Sequence, residues 1–160
     1  YPAVLLLGMQ NDIIFNYKTP TIAFFCMVKS LAIVSLPENH FDAYTEAALG
    51  SVIATIIFKS NWPEFDTSCL PNYIKMPPLF NELWKIHSRF NNQILLNMIE
   101  NAQKQVTYNS SEEMWTAFIR ELCLIANCNL TPLIEKVRPI PISLLETISK
   151  LPKCPERMFK

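Results

Sequence analysis

Few residues in this chain are equipped for chemistry: two histidines and five cysteines among 160 residues. His40 follows Glu38-Asn39 in a polar turn, where an exposed imidazole is expected. His87 lies on an apolar helical stripe, one turn from Trp84 and near Phe90. An imidazole so placed usually serves as a hydrogen-bonded residue between helices rather than as a base or ligand. The cysteines are Cys26, Cys69, Cys123, Cys128 and Cys154, and no C-x-x-C occurs. Cys123 and Cys128 leave a helix in different directions at that spacing. Two histidines without a paired-cysteine motif make no zinc set recognisable by spacing. A nucleophile pair joining Cys26 or Cys123 to His87 has no local signature. Glu112-Glu113 is better explained as favourable charge at a helix N-terminus than as a carboxylate dyad. There is no glycine-rich loop and no GK[ST] to cradle phosphate. The expectation is a non-enzymatic chain with neither metal nor cofactor.

One stretch does look catalytic. VLLLGMQNDII (Val4–Ile14) resembles the first strand of isochorismatase-like cysteine hydrolases, an apolar strand ending in an acid followed by Met-Gln-Asn-Asp. The resemblance implies a parallel sheet and a hydrolase. The sequence departs from it at Gly8, which stands where the catalytic acid would be, and no downstream cysteine has a matching strand-turn-helix setting. Gly8 and Gly50 are the only glycines, too few for the positive-φ turns a doubly wound sheet requires. Read as a helix, Leu5, Met9, Ile13 and Asn16 recur at four and three residues, which makes the stretch a packing element. Gly8 then costs about 1 kcal/mol, with close helix approach as its reason. IIFKSNWPEF (Ile56–Phe65) is similar to a serpin strand motif, over a short piece of a far longer fold.

The elements that must position these residues are bounded by composition. The chain is 50% apolar and 18% charged, with zero net charge and a mean hydropathy of +0.15. That is enough chain for one domain with its own core, and apolar enough to suggest a face meant for a partner. The first residue, Tyr1, suggests a processed chain or an excised piece of a longer one. Charge is uneven: residues 136–160 carry +4, ending in a basic tail over 152–160. This is not the dense Lys/Arg stripe of a nucleic-acid binder. The odd cysteine count argues against a complete disulfide framework, so mostly reduced thiols are expected, with Cys26 and Cys123 as small core residues. Asn109-Ser110-Ser111 is a glycosylation sequon, and Asn129-Leu130-Thr131 is another, weakened by Pro132. The longest apolar run, Thr21–Leu36, is short for a membrane span and is interrupted by Lys29, so no transmembrane segment is expected.

Twelve prolines punctuate the chain. Thr19-Pro20 opens a helix reaching Leu36, since proline at a helix start removes an N–H that would be unpaired anyway. A second helix follows from Phe41 to Ser60, although its end, SVIATIIF, has strand-like β-branching. Residues 61–77 form a Pro-rich connector carrying Trp62, Phe65, Tyr73 and Met76, aromatics that either clamp the loop onto a core or present a surface. From Pro78 an apolar stripe through Phe80, Trp84, His87, Ile94 and Met98 predicts one long spine helix to about Val106. Ser110 and Glu113 form a capping box for the next helix, which fades at Asn127-Cys128-Asn129. Thr131-Pro132 begins a short helix, and Ile142, Leu145, Ile148 and Leu151 mark one more.

The sequence therefore predicts a single all-α domain over 1–160, with about seven helical segments, as a multi-helix bundle or a segment of a stacked-helix solenoid of HEAT/ARM type. Its expected function is that of a protein-interaction or scaffold domain of a larger chain or complex, binding a protein partner through an apolar helix face. Candidate contact residues are Trp62, Phe65, Tyr73, Met76, Lys150, Lys153 and Arg157. An intracellular location, cytoplasm or nucleus, is favoured. The alternatives are a secreted helical-bundle ligand of the cytokine kind, carried by length and sequons, and a helical domain with a lipophilic cavity lined by Met and Phe.

Overall fold

The computed structural model describes residues 22–70, 74, 76–90, 93–104 and 107–155, the side chain of Cys69 excepted. The packing helix expected over the opening stretch, the Thr19-Pro20 cap, Tyr73 and Arg157 lie outside the described residues.

Seven α-helices occur among the described residues: α1 (Ile22–Val34), α2 (Ala43–Asn61), α3 (Pro78–Arg89), α4 (Gln93–Ala102), α5 (Ser111–Ala126), α6 (Thr131–Ile134) and α7 (Ile142–Ile148). No strand occurs there beyond an isolated bridge between Asn129 and Lys153. The all-α class is what the two glycines and the Pro-bounded runs predicted.

Helix α2 is the centre. Asp42 caps it, its carboxylate accepting the Thr45 N–H at 2.8 Å. A side-chain cap of this kind stabilises a helix by about 1 kcal/mol. The strand-like SVIATIIF is helical because α2 is enclosed on several sides, packing on α1 along one face and α3 along another. A helix with neighbours on most faces is apolar nearly all round, and β-branched residues suit such a place despite their lower helix propensity. Two polar residues buried in it bond to its own backbone: Ser51 Oγ donates to Ala47 O at 2.7 Å and Thr55 Oγ1 to Ser51 O at 2.8 Å. Gly50 is where α1 comes closest. A Cβ there would lie 2.4 Å from Ile33 Cγ1 and 3.1 Å from Lys29 O.

The predicted spine helix is broken. α3 ends at Arg89 and α4 begins at Gln93. Phe90 caps α3 with φ −95° and ψ −86°, its N–H still reaching Ile86 O. The break sits at Phe90, whose ψ departs from the helical value of about −42°. The apolar period runs through the break, so it did not reveal it. α3 buries Leu79, Phe80, Leu83 and Ile86, and α4 buries Ile94, Leu95, Met98 and Ala102.

Helix α5 starts as its capping box requires. Ser110 Oγ accepts the Glu113 N–H at 3.2 Å, and Glu113 Oε2 accepts the Asn109 N–H at 3.0 Å, one residue before the cap itself. It ends at Asn127, left-handed at φ 50°, a common helix stop. The main core joins α2 through α7 around Leu49, Leu83, Phe118, Leu122 and Ile134. Each such fully buried side chain contributes roughly 1.5–3 kcal/mol. A smaller cluster of Phe25, Val28, Ala54 and Phe58 lies between α1 and α2. In α7 the stripe is shifted: Leu144 and Ile148 are buried, whereas Ile142 is 76% exposed.

Candidate functional site

The structure corrects the position of His40. It is buried, 1% exposed, rather than presented on a polar turn. Asn39 adopts a left-handed conformation at φ 55°, and its carbonyl accepts the Tyr108 N–H at 2.9 Å. This turn carries the imidazole inward between the rings of Phe41 and Tyr108, at 5.0 and 5.1 Å. Its Nε2 faces Glu121 Oε2 at 3.6 Å, too far for a hydrogen bond, so Nε2 and both carboxylate oxygens are buried without one. Beside this pair, Arg138 bonds the Asp42 carboxylate and lies 4.6 Å from the Trp115 ring centroid. Trp115 Nε1–H donates to Pro139 O at 3.0 Å. Burial pushes the Asp42 carboxyl up, but the hydrogen bonds from Arg138 and Thr45 outweigh it, and the net shift is downward. The contacts of this polar cluster tie the start of α2 to α5 and the loop after α6.

His87 is half-buried, its ring 5.3 Å from Trp84, and Nδ1 has no hydrogen-bond partner. The interhelical hydrogen bond expected of His87 is not made at Nδ1. Burial lowers its pKa, which favours the neutral ring. It lines a groove of about 560 Å³ between α2, α3 and α4, together with Ile53, Ile56, Ile57, Trp84 and Leu96. Ile57 and Leu96 are 39% and 46% exposed, large apolar surface presented to solvent. Lys59 lies on the same wall, with Nζ 5.9 Å from the Trp84 centroid. Of the nine lining residues, Lys59 is the only lysine, arginine, aspartate or glutamate.

The cysteine expectation is corrected in part. Cys128 and Cys154 form a disulfide, with Cα atoms 5.1 Å apart. An odd total excludes complete pairing but not a single bridge, and the left-handed Asn127 turns Cys128 off α5 toward the C-terminal segment. Asn129 N–H, next along, donates to Pro152 O at 2.9 Å. Cys123 is a free, fully buried thiol, as expected for a small core residue, while Cys26 is only half-buried. Burial raises the pKa of both thiols, which disfavours the reactive thiolate. No hydrogen bond joins either histidine to a cysteine among the described residues, and no three His, Cys, Asp or Glu side chains converge there to hold a metal ion.

Of the predicted contact residues, Trp62 and Phe65 turn toward the smaller core. Phe65 lies 5.5 Å from Phe25 and 4.9 Å from Phe58, and Trp62 lies 5.2 Å from Phe58. Met76 touches both core clusters. These three clamp the connector onto α1 and α2. Lys150 and Lys153 are exposed. The groove residues Ile57, Trp84, His87 and Leu96 were not singled out as a site by sequence. The usable signal was Ile57 and Leu96 as large apolar residues, but it becomes legible only once α2 and α4 are known to be neighbours of α3.

Among the described residues, no helix is long and apolar enough to cross a membrane. The fold and these sites define an all-α class. Comparison with protein-family models, with curated proteins and with solved structures finds no match to this chain.

Proposed function

We propose that this chain is a non-enzymatic helical interaction segment, stacked in the manner of a solenoid, whose α2–α3–α4 groove receives an amphipathic helix bearing a carboxylate. The observation that carries this reading is the groove itself: exposed Ile57 and Leu96 line it with Trp84, and Lys59 is the only lysine, arginine, aspartate or glutamate among its described lining residues. Helix-in-groove recognition uses apolar anchors with a charged group fixing orientation. The stacked arrangement draws its support from the neighbour contacts α1–α2, α2–α3 and α4–α5, although α5 also packs on α7 and α3 on α6, as in a closed bundle. A set of amphipathic helical peptides, identical but for an acidic, neutral or basic residue opposite Lys59, tests the groove. Acidic peptides should bind most tightly, and Ile57→Asp and Leu96→Asp should each abolish binding. Equal affinity for acidic and basic peptides, or binding indifferent to both substitutions, would sink the proposal.

A second reading, a secreted helical-bundle ligand, is favoured by one observation, the Cys128–Cys154 disulfide. Such bonds persist in oxidising compartments and are uncommon in the cytosol. Peptide mapping under thiol-blocking conditions tests it, since free thiols at both positions oppose it.

A further inference from the structure

The two sequons of this chain sit in opposite surroundings. Asn109, Ser110 and Ser111 are all exposed, in the turn that enters α5. The Asn109 carboxamide makes no hydrogen bond among the described residues, and only its backbone N–H is engaged, by Glu113. Beside it opens a polar depression of about 570 Å³, lined by Tyr108, Thr116, Arg120 and Ser143 among others. Hydroxyls, a guanidinium and an aromatic ring are the groups that hold sugar hydroxyls and sugar faces. Asn129 is the reverse. Its Oδ1 accepts from both Thr131 N–H at 3.0 Å and Thr131 Oγ1 at 2.6 Å, and its backbone pairs with the segment at Lys153. Its neighbours Cys128 and Leu130 are buried, the first in the disulfide.

We propose that Asn109 is an N-glycosylation site, and that the adjacent depression seats the first sugars of the glycan, while Asn129 stays unmodified. This rests on the oxidising-compartment reading of the disulfide. Asn109 is exposed in the turn that enters α5, so the fold leaves a glycan there in solvent, whereas a glycan on Asn129 would have to displace the Thr131 hydrogen bonds. In the transfer, Asn109 Nδ2 forms a bond to the anomeric carbon of the first N-acetylglucosamine of a lipid-diphosphate-linked oligosaccharide. The bond from that carbon to the diphosphate oxygen breaks, the lipid diphosphate leaves with the electron pair, and one carboxamide proton passes to a base of the transferase.

The full chain, expressed in a eukaryotic secreting cell, is digested with an amidase that removes N-glycans and mapped by mass spectrometry with and without reduction. The expected result is a single glycan at Asn109, converted to Asp on release, and a linked Cys128–Cys154 peptide. Asn109→Gln and Ser111→Ala should each remove the mobility shift on a gel, and Asn129→Gln should retain it. Ser111→Thr, which keeps the hydroxyl, should retain it as well. A linked disulfide with Asn109 bare overturns the glycan assignment alone. A glycan at Asn129 overturns the discrimination between sequons. Free thiols at 128 and 154 overturn the compartment reading and the site with it.

Discussion

The Arg138 guanidinium hydrogen-bonds the Asp42 carboxylate across 96 residues of chain, while the same carboxylate caps α2 through the Thr45 N–H. One side chain thus starts the central helix and holds the loop after α6 against it. Asp42→Asn should keep the cap and lose the ion pair, whereas Asp42→Ala should lose both. The difference between the two variants in urea unfolding should be about 1 kcal/mol, the typical value of a side-chain cap. Equal losses would show that the cap contributes nothing.

Acidification should weaken the same contact. The Asp42 pKa is lower folded than unfolded, so its contribution is fully present above the unfolded value of about 4 and is lost as pH falls through the folded one. In wild type, unfolding midpoints measured on descending pH should drop in that window, and the Asp42→Asn profile should be flatter there. Parallel profiles would contradict the assignment.

The disulfide closes a loop of 26-residue separation. Loop entropy in the unfolded chain gives about 3.5 kcal/mol for a bridge of that span. Cys154→Ser should lower stability by an amount of this order, with denaturant titration of oxidised wild type as the reference. In the native state, Cys26 should react with an alkylating reagent well before the buried Cys123.

Gly50→Ala would raise stability by about 1 kcal/mol if helix propensity decided the outcome. The close approach of α1 reverses the expectation, because the new Cβ meets Ile33 and the Lys29 carbonyl. Ile33 is β-branched and cannot swing its Cγ1 aside freely. A net loss of about 1–3 kcal/mol should result, as for overpacking in other cores. Ile33→Ala in the same chain should recover part of it, and additive losses would argue against the contact.

His40 and Glu121 should be coupled. Removing either leaves the other buried opposite an apolar replacement, whereas removing both removes the mismatch. In a double-mutant cycle of His40→Leu and Glu121→Leu, the double variant should be more stable than the sum of the singles by about 1 kcal/mol or more. Strict additivity would show that the two side chains do not interact.

Local signals fixed what local physics controls. The all-α class follows from two glycines and from prolines at helix starts. The Ser110–Glu113 box and the stop at Asn127 were legible because caps are written within a few residues of a helix end. Asp42 was legible in principle too, as an acid just before an Ala-rich run, but its partner Arg138 was not. Apolar period spoke to helices without marking their breaks, so α3 and α4 read as one. It also could not say that His40 turns inward, since a left-handed Asn39 and a distant Glu121 decide that together. The tertiary structure alone joined Cys128 to Cys154, set α1 against Gly50, and made a groove of Ile57, Trp84 and Leu96. Each depends on which helices become neighbours, and that is fixed by burial summed over the whole core rather than by any short stretch of chain.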